Sequence, residues 1–351
     1  MTSHTYSLVD LGWSQHYQAQ LDLDEIETFA PVRLTEVHRS SMDALGVDGP
    51  VQLPMTGELA DHGVAVGDWL LVDTETGRPG RVLDRKSILK RRVAGNELNT
   101  QLIAANVDTL FIVSSCNADF NVARLERYLA LAHQAGIDPV IILTKSDLAE
   151  NPSDYRREAE TSLPGTLVET VDAKSPNLVD QLSPWCSKGK TVALVGSSGV
   201  GKSTITNALT GGQSATQDIR EDDAKGRHTT TSRSMHGTAT GGWLIDTPGM
   251  RALRLADVSE GVEMVFQDVA DLALQCRFHD CAHDTEPGCA IQAAIAAGDL
   301  DPARLVRWQK LQREDQHNTE TLAEKHVRTR KRERMYKSGK KRAAYKRNQF
   351  E

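Results

Sequence analysis

Four short apolar runs mark the middle of the chain: TLFIVSS at 109–115, PVIILTK at 139–145, TVALVGS at 191–197 and GGWLIDT at 241–247. Each has strand length and lacks polar alternation, so each reads as a strand buried on both faces. Beside them, VARLERYLALAHQAG (122–136) and GKSTITNALTG (201–211) read as helices. Strand–helix alternation predicts a doubly wound, mostly parallel α/β sheet, here over 96–255. Residues 33–95 read differently. RLTEVHR (33–39), GPVQLPMTG (49–57) and DWLLVD (68–73) alternate or cluster apolar residues between Gly, Asp and Pro, the mark of short strands. Their density predicts a small OB-like barrel, although period alone does not separate it from an SH3-like one. Residues 1–32 show no strong period and read as an irregular extension, 256–325 turn helical, and 326–351 form a charged tail.

A chain of 351 residues suits two or three domains of this kind. With 39% hydrophobic and 25% charged residues it has a globular composition, which excludes wholesale disorder. Its longest apolar clusters fall far short of a membrane span. MTSHTYSLVD offers neither a basic nor an apolar leader segment. Five cysteines are too few for a disulfide scaffold and point to a reducing compartment. A cytoplasmic protein without a membrane partner is expected. Charge changes the picture further. The net −7 is the sum of +9 over 326–351, where eleven Lys and Arg face Glu333 and Glu351, and −16 over the rest. An acidic body with a basic tail is the layout of a protein that docks on a polyanion.

The chemistry is concentrated in the α/β segment. Gly196-Ser197-Ser198-Gly199-Val200-Gly201-Lys202-Ser203 matches G-x-x-x-x-G-K-[ST] and lies between the TVALV strand and a helical pattern. In that context glycines let the backbone wrap a phosphate, N–H groups at the helix start face the anion, and Lys202 reaches the β/γ oxygens. Ser203 offers a hydroxyl to Mg²⁺, and Thr204 completes the first turn. Asp246-Thr247-Pro248-Gly249 follows the GGWLI strand, as the D-x-x-G element of GTPases does, with Asp246 on Mg²⁺ through water and the Gly249 amide at the γ-phosphate. Gly226-Arg227-His228-Thr229-Thr230-Thr231 stands where a switch threonine, Thr230, closes over Mg²⁺. Thr144-Lys145-Ser146-Asp147 resembles the guanine-reading N-K-x-D, with Thr for Asn, and Asp172-Ala173-Lys174 stands where a supporting S-A-K loop belongs. Asp147 can accept from both the ring N–H and the exocyclic amine of guanine, a pairing that adenine does not offer.

The order of these elements is unusual. The base-side pair precedes the phosphate-side set, which a circular permutation explains, because the termini of compact domains often lie close together. Downstream, Cys276-x4-Cys281-x-His283-x5-Cys289 supplies three thiolates and one imidazole, a complete structural zinc set with no open position for catalysis. Cys116 and Cys186 are solitary and read as buried or incidental.

Barrel, permuted G domain and Cys₃His knot together closely resemble the ribosome small subunit-dependent GTPase A family of bacterial assembly factors, the YjeQ type. The resemblance covers roughly residues 33–320 and is carried by the motif order, G-R-H-T-T-T, D-T-P-G, the zinc spacing and Ala104-Ala105-Asn106-Val107-Asp108. It implies GTP hydrolysis to GDP and phosphate, stimulated by the small ribosomal subunit, during that subunit's late maturation. GTP, Mg²⁺, one structural Zn²⁺, the subunit and its rRNA are then the expected ligands of a monomer. Met250 stands where many GTPases carry a water-orienting Gln. Slow intrinsic hydrolysis follows, with Lys202 and Thr230 in the catalytic set and His228 as the candidate that positions water. A GTP-dependent switch on another RNA or protein client, with hydrolysis as a slow timer, is the competing reading. A small-molecule kinase is disfavoured by D-T-P-G and T-K-S-D together. Asp147→Asn is expected to move preference from GTP towards xanthosine triphosphate, measured by competition binding. Unchanged selectivity would show that T-K-S-D does not read the base.

Overall fold

The alternation of residues 29–82 is realised as antiparallel strands. After α1 (Gln15–Gln18) and α2 (Leu23–Thr28) come β1 (Phe29–Val37), β2 (Ser41–Gly46), β3 (Gly49–Pro54), α3 (Gly57–His62), β4 (Trp69–Asp73) and β5 (Pro79–Val82). The computed structural model describes residues 5–92, 100–212, 233–246 and 258–319. The strands pair in the order β3-β2-β1-β4-β5. Along β2, Met42 and Ala44 are buried while Ser41 and Asp43 are not, the two-residue period of a half-solvated sheet. Val32, Leu34, Met42, Ala44, Leu53, Leu59, Leu70 and Val72 form the core of this unit. The first strand starts at Phe29, ahead of the boundary expected at residue 33.

The stretch expected to be irregular is an arm laid against this unit. Leu11 and Tyr17 are fully buried, and Trp13 meets Trp69 edge-on at 4.8 Å between ring centroids. Scattered aromatic residues carry that packing, and they leave no periodic trace in the sequence.

A hairpin of β6 (Ile88–Arg92) and β7 (Thr100–Ala105) leads into the α/β unit. There follow β8 (Thr109–Ser115), α4 (Val122–Gln134), β9 (Asp138–Thr144), α5 (Pro152–Ser162), β10 (Leu167–Thr170), α6 (Leu178–Cys186), β11 (Thr191–Gly196), α7 (Lys202–Leu209), β12 (Ser234–Gly237) and β13 (Trp243–Asp246). The strand order is β10-β9-β8-β11-β13-β12, parallel except for β12. The apolar runs are buried on both faces, as predicted. Leu110 and Ile112 pack with Leu125 and Leu129 of α4, while Phe111 and Val113 pack with Leu182 of α6 and Ile205 of α7. From β8 the chain winds outward through β9 and β10, then returns to place β11 on the other side of β8. That reversal is a topological switch point, where ligands of open α/β sheets bind beyond the carboxyl ends of the strands.

The sheet continues beyond the α/β unit: Ser234 of β12 pairs with Glu36 of β1. Strand β1 also carries the buried guanidinium of Arg33, which donates to the carbonyls of Leu11 (2.6 Å), Asn106 (3.1 Å) and Gly67 (3.4 Å). One side chain thus ties the N-terminal arm, the β unit and the entry to β8. Asn106 adds to the node, its amide donating to the Gly67 carbonyl at 3.0 Å and its side-chain oxygen accepting from the Lys86 amide at 2.9 Å. Asp108 accepts from the Thr191 amide at 2.8 Å, at the start of β11.

The C-terminal helices are α8 (Ser259–Val265), α9 (Gln267–Ala273), α10 (Ala290–Ala297) and α11 (Pro302–Thr319). Both α8 and α11 dock on α4. Glu126 of α4 is wholly buried and accepts from Arg307 at 2.9 Å and Arg304 at 3.3 Å. The Val258 amide donates to Asp315 of α11 at 3.0 Å.

Replacing Arg33 by Met takes their donor from the buried carbonyls of Leu11 and Asn106, while Gly67 keeps the Asn106 amide, at about 1–3 kcal/mol per orphaned carbonyl. The variant is expected to melt several degrees lower and to be cleaved faster within residues 5–28, measured by calorimetry and limited proteolysis.

Candidate functional site

The phosphate-binding loop is built by strand and helix together. β11 ends at Gly196, whose φ is +147° and whose position leaves no room for a side chain, since a Cβ would lie 2.2 Å from the Val113 carbonyl oxygen. Glycine there lets β11 approach β8 while the chain turns toward α7. Lys202 opens that helix and its ammonium donates to the Gly196 carbonyl at 2.8 Å and to the Ser197 carbonyl. Ser198 and Gly199 are exposed, as are Ser203 and Thr204 on the first turn, whereas Val200 is buried. A backbone loop with its amides at a helix start and an ammonium beside it is an anion cradle.

The base-side segments lie next to it. Thr144, at the end of β9, is fully buried; its hydroxyl is 2.6 Å from the Val200 carbonyl and 3.1 Å from that of Ser114. T-K-S-D and the phosphate-binding loop are therefore directly bonded. Lys145 adopts left-handed backbone (φ 59°), and Ser146–Leu148 form a single 3₁₀ turn that leaves Asp147 exposed. The Ser146 amide reaches the Val171 carbonyl at 3.4 Å, which joins this turn to Asp172-Ala173-Lys174. There the Asp172 carboxylate accepts from the Lys174 amide at 2.8 Å. Asp246 closes β13, which lies parallel to β11 along the same sheet edge.

The Cys/His cluster forms in the segment between α9 and α10. Ligand atoms of Cys276, Cys281, His283 and Cys289 all lie within 4.8 Å of one another. A tetrahedral zinc ion has Zn–S of about 2.3 Å and Zn–N of about 2.0–2.1 Å, which puts sulfurs about 3.8 Å apart and sulfur about 3.6 Å from nitrogen. Cys276 and Cys289 Sγ are 3.8 Å apart, and each is 3.6 Å from His283 Nδ1. The residues fit zinc, and Nδ1 is the ligand nitrogen. Cys289 also caps α10, accepting from the Gln292 amide at 3.5 Å. Burial opposes ionisation of Cys276, but hydrogen bonds from the Ala290 and Ile291 amides of that helix and from the Cys289 and Cys281 thiols together hold the thiol below its ordinary pKa. Gln292 braces His283, itself in left-handed backbone, by donating to its carbonyl at 2.7 Å. By contrast, burial pushes the thiols of Cys116 and Cys186 up to about 11 and about 12, so both are inert.

These elements recur in known proteins. The sequence profile of the RsgA GTPase family matches residues 82–256. A small ribosomal subunit biogenesis GTPase RsgA of Mesorhizobium japonicum is 51% identical over 323 residues, 91% of this chain and 93% of that protein. The chain belongs to the RsgA GTPase family. An RsgA 2 of Vibrio vulnificus is 47% identical over 337 residues, 96% of either chain. The fold agrees with the crystal structure of YjeQ from Thermotoga maritima (TM-score 0.61, 24% identity, 81% of this chain and 97% of that one). It agrees equally with YloQ, described as a circularly permuted GTPase (TM-score 0.59, 22% identity, 84% and 97%). An ABC transporter profile also matches 179–340; the phosphate-binding loop, which P-loop nucleotide hydrolases share, lies in both spans.

RsgA membership makes the chain a GTP hydrolase on a circularly permuted G domain. His228, Thr230 and Gly249 lie outside the described residues, as does the tail over 326–351. One neighbour of the phosphate-binding loop was not signalled by the sequence. Arg124 of α4 contacts the Ser197 hydroxyl and is 2.9 Å from both carboxylate oxygens of Asp119. It belongs to no motif and lies far from the loop along the chain.

One zinc per chain is expected by elemental analysis. Removing it with a chelator should alter tryptophan emission, because Trp308 lies 5.7 Å from the His283 ring. Emission that ignores chelation, or a metal-free protein that is fully folded, would show that the cluster is not a structural metal site.

Proposed function

We propose that this GTPase binds the small ribosomal subunit and assists its late maturation, with hydrolysis of GTP to GDP and phosphate stimulated by the subunit. The carrying observation is identity across nine-tenths of the chain to relatives named small ribosomal subunit biogenesis GTPases. The direct bond between Thr144 and the phosphate-binding loop supports it, since it joins the base-side and phosphate-side elements.

In this reading, residues 196–204 cradle the phosphates, and Lys202 leaves its carbonyl partners for the β/γ oxygens. Asp147 reads guanine, with Thr144, Lys145 and Ser146 shaping its turn and Asp172, Ala173 and Lys174 supporting the base. Ser203, Thr230 and Asp246 (through water) hold Mg²⁺, which neutralises charge developing on the phosphates. Gly249 senses the γ-phosphate, and His228 positions the attacking water. Cys276, Cys281, His283 and Cys289 hold one structural Zn²⁺. The domains are assigned as an extension (1–32), an OB-like barrel (33–95), the permuted G domain (96–255), the zinc-binding helices (256–325) and the basic tail (326–351). The protein acts in the cytoplasm as a monomer; no described helix is long and apolar enough to cross a membrane. Relatives named for the small subunit and a tail of +9 both favour contact with rRNA.

The deciding measurement is the GTPase rate with small subunits, large subunits and free RNA. Stimulation confined to small subunits is expected, whereas equal weak stimulation by all three would move the reading to a general RNA-bound switch. Deleting 326–351 should weaken subunit binding and flatten its salt dependence, by about 0.7–0.9 in log–log slope per lost phosphate contact. Unaltered affinity and slope would remove the tail from recognition.

A further inference from the structure

Helix α4 touches both the phosphate-binding loop and the C-terminal helices, and it does so at different points along its length. Its cap, Asn121, accepts from the Arg124 amide at 3.0 Å and fixes the first turn. From that turn the Arg124 guanidinium bridges Asp119 and the Ser197 hydroxyl. Ser197 is thus held from two sides, by Arg124 on its side chain and by Lys202 on its carbonyl.

The rest of α4 is gripped by the C-terminal helices. Glu126 is buried against Arg304 and Arg307, and Arg127 pairs with Glu314 at 2.6 Å. Farther along, Gly261 of α8 lies so close that a Cβ would sit 2.0 Å from the Ala130 carbonyl oxygen, and its amide donates to Gln134 at 3.1 Å. A helix is stiff along its axis because every turn is hydrogen-bonded to the next. A shift of α8 and α11 therefore moves the first turn of α4 as well, since close-packed contacts transmit displacement instead of absorbing it.

We propose that Arg124 is a positioning residue for the nucleotide phosphates. It sets the phosphate-binding loop through Ser197, and the docking of α11 on α4 sets Arg124. The inference rests on the GTP-binding reading of that loop, and it adds a route from the C-terminal helices to the nucleotide that does not pass through residues 226–231 or 247–250. By linkage, whatever displaces α11 changes nucleotide affinity, and nucleotide changes the docking of α11 by the same factor.

The test is a double-mutant cycle on the full-length protein with no ribosomal particle present, so that it does not depend on the partner proposed above. Affinities for GTP and GDP are measured with fluorescent analogues for the parent, Arg124→Ala, Arg307→Ala and the double variant. Arg124→Ala is expected to weaken GTP binding about 2- to 30-fold, the range of such couplings. Arg307→Ala should weaken it as well, yet add less than about twofold in the Arg124→Ala background. Glu314→Gln, at a partly exposed pair, repeats the cycle with a nearly isosteric change, and melting curves check that each variant is folded. An Arg124→Ala protein with parental affinity overturns the proposal. So do effects that simply multiply, which would make the two sites independent. Absence of GTP binding by the parent itself would instead sink the nucleotide reading.

Discussion

A hydroxyl group joins the two halves of the nucleotide site. Thr144 Oγ1 has one proton and two carbonyls within reach, those of Val200 and Ser114, and the shorter contact goes to the phosphate-binding loop. The halves it connects come from β9 and from the turn after β11, on opposite flanks of β8. In a permuted chain, covalent order does not bring them together, so alignment rests on sheet geometry and on this bond. An Asn amide would bring two donors to the same place; Thr brings one. The cost of that economy falls on Ser114, whose carbonyl shares the Thr144 proton at best.

Beyond the site, buried polar groups do the joining. Arg33 donates to three carbonyls from three segments, and Glu126 accepts from two arginines of α11. Burial lowers the pKa of Arg33, and the nearby Tyr17, Asp108 and Asp68 oppose that shift. Such groups add little net stability when paired and cost several kcal/mol when a partner is removed, about 3–5 for a broken buried pair. They specify how the units meet more than they hold each unit together.

Much of this was legible in the sequence, and the rest was hidden for identifiable reasons. The strands β8, β9, β11 and β13 were visible because burial on both faces demands unbroken apolar runs. The phosphate-binding loop and the Cys/His spacing were visible because their chemistry fixes residue type and interval. Arg124 and Arg33 were not, because a guanidinium that bonds across the fold leaves no local period. The arm over residues 5–28 was read as irregular since Leu11, Trp13 and Tyr17 match neither a helical nor a strand period. The stretch 104–108 was noticed only by resemblance; the structure gives it a physical role, with Asn106 in left-handed backbone (φ 57°) bonding Gly67 and Asp108 anchoring β11.

The largest apolar core ignores the boundaries that the sequence pattern suggests. Leu11 and Tyr17 of the arm, Trp69 of the β unit, Ile112 and Leu129 of the α/β unit, and Val262 and Trp308 of the C-terminal helices belong to one contiguous cluster. Excising the α/β unit alone would therefore lay bare the face of β8, β9 and α4 that the other segments cover. Such a fragment would meet solvent with apolar side chains evolved for an interior, and association or aggregation is its natural fate. Pattern-defined domains are here architectural divisions, while cooperative unfolding follows the shared core.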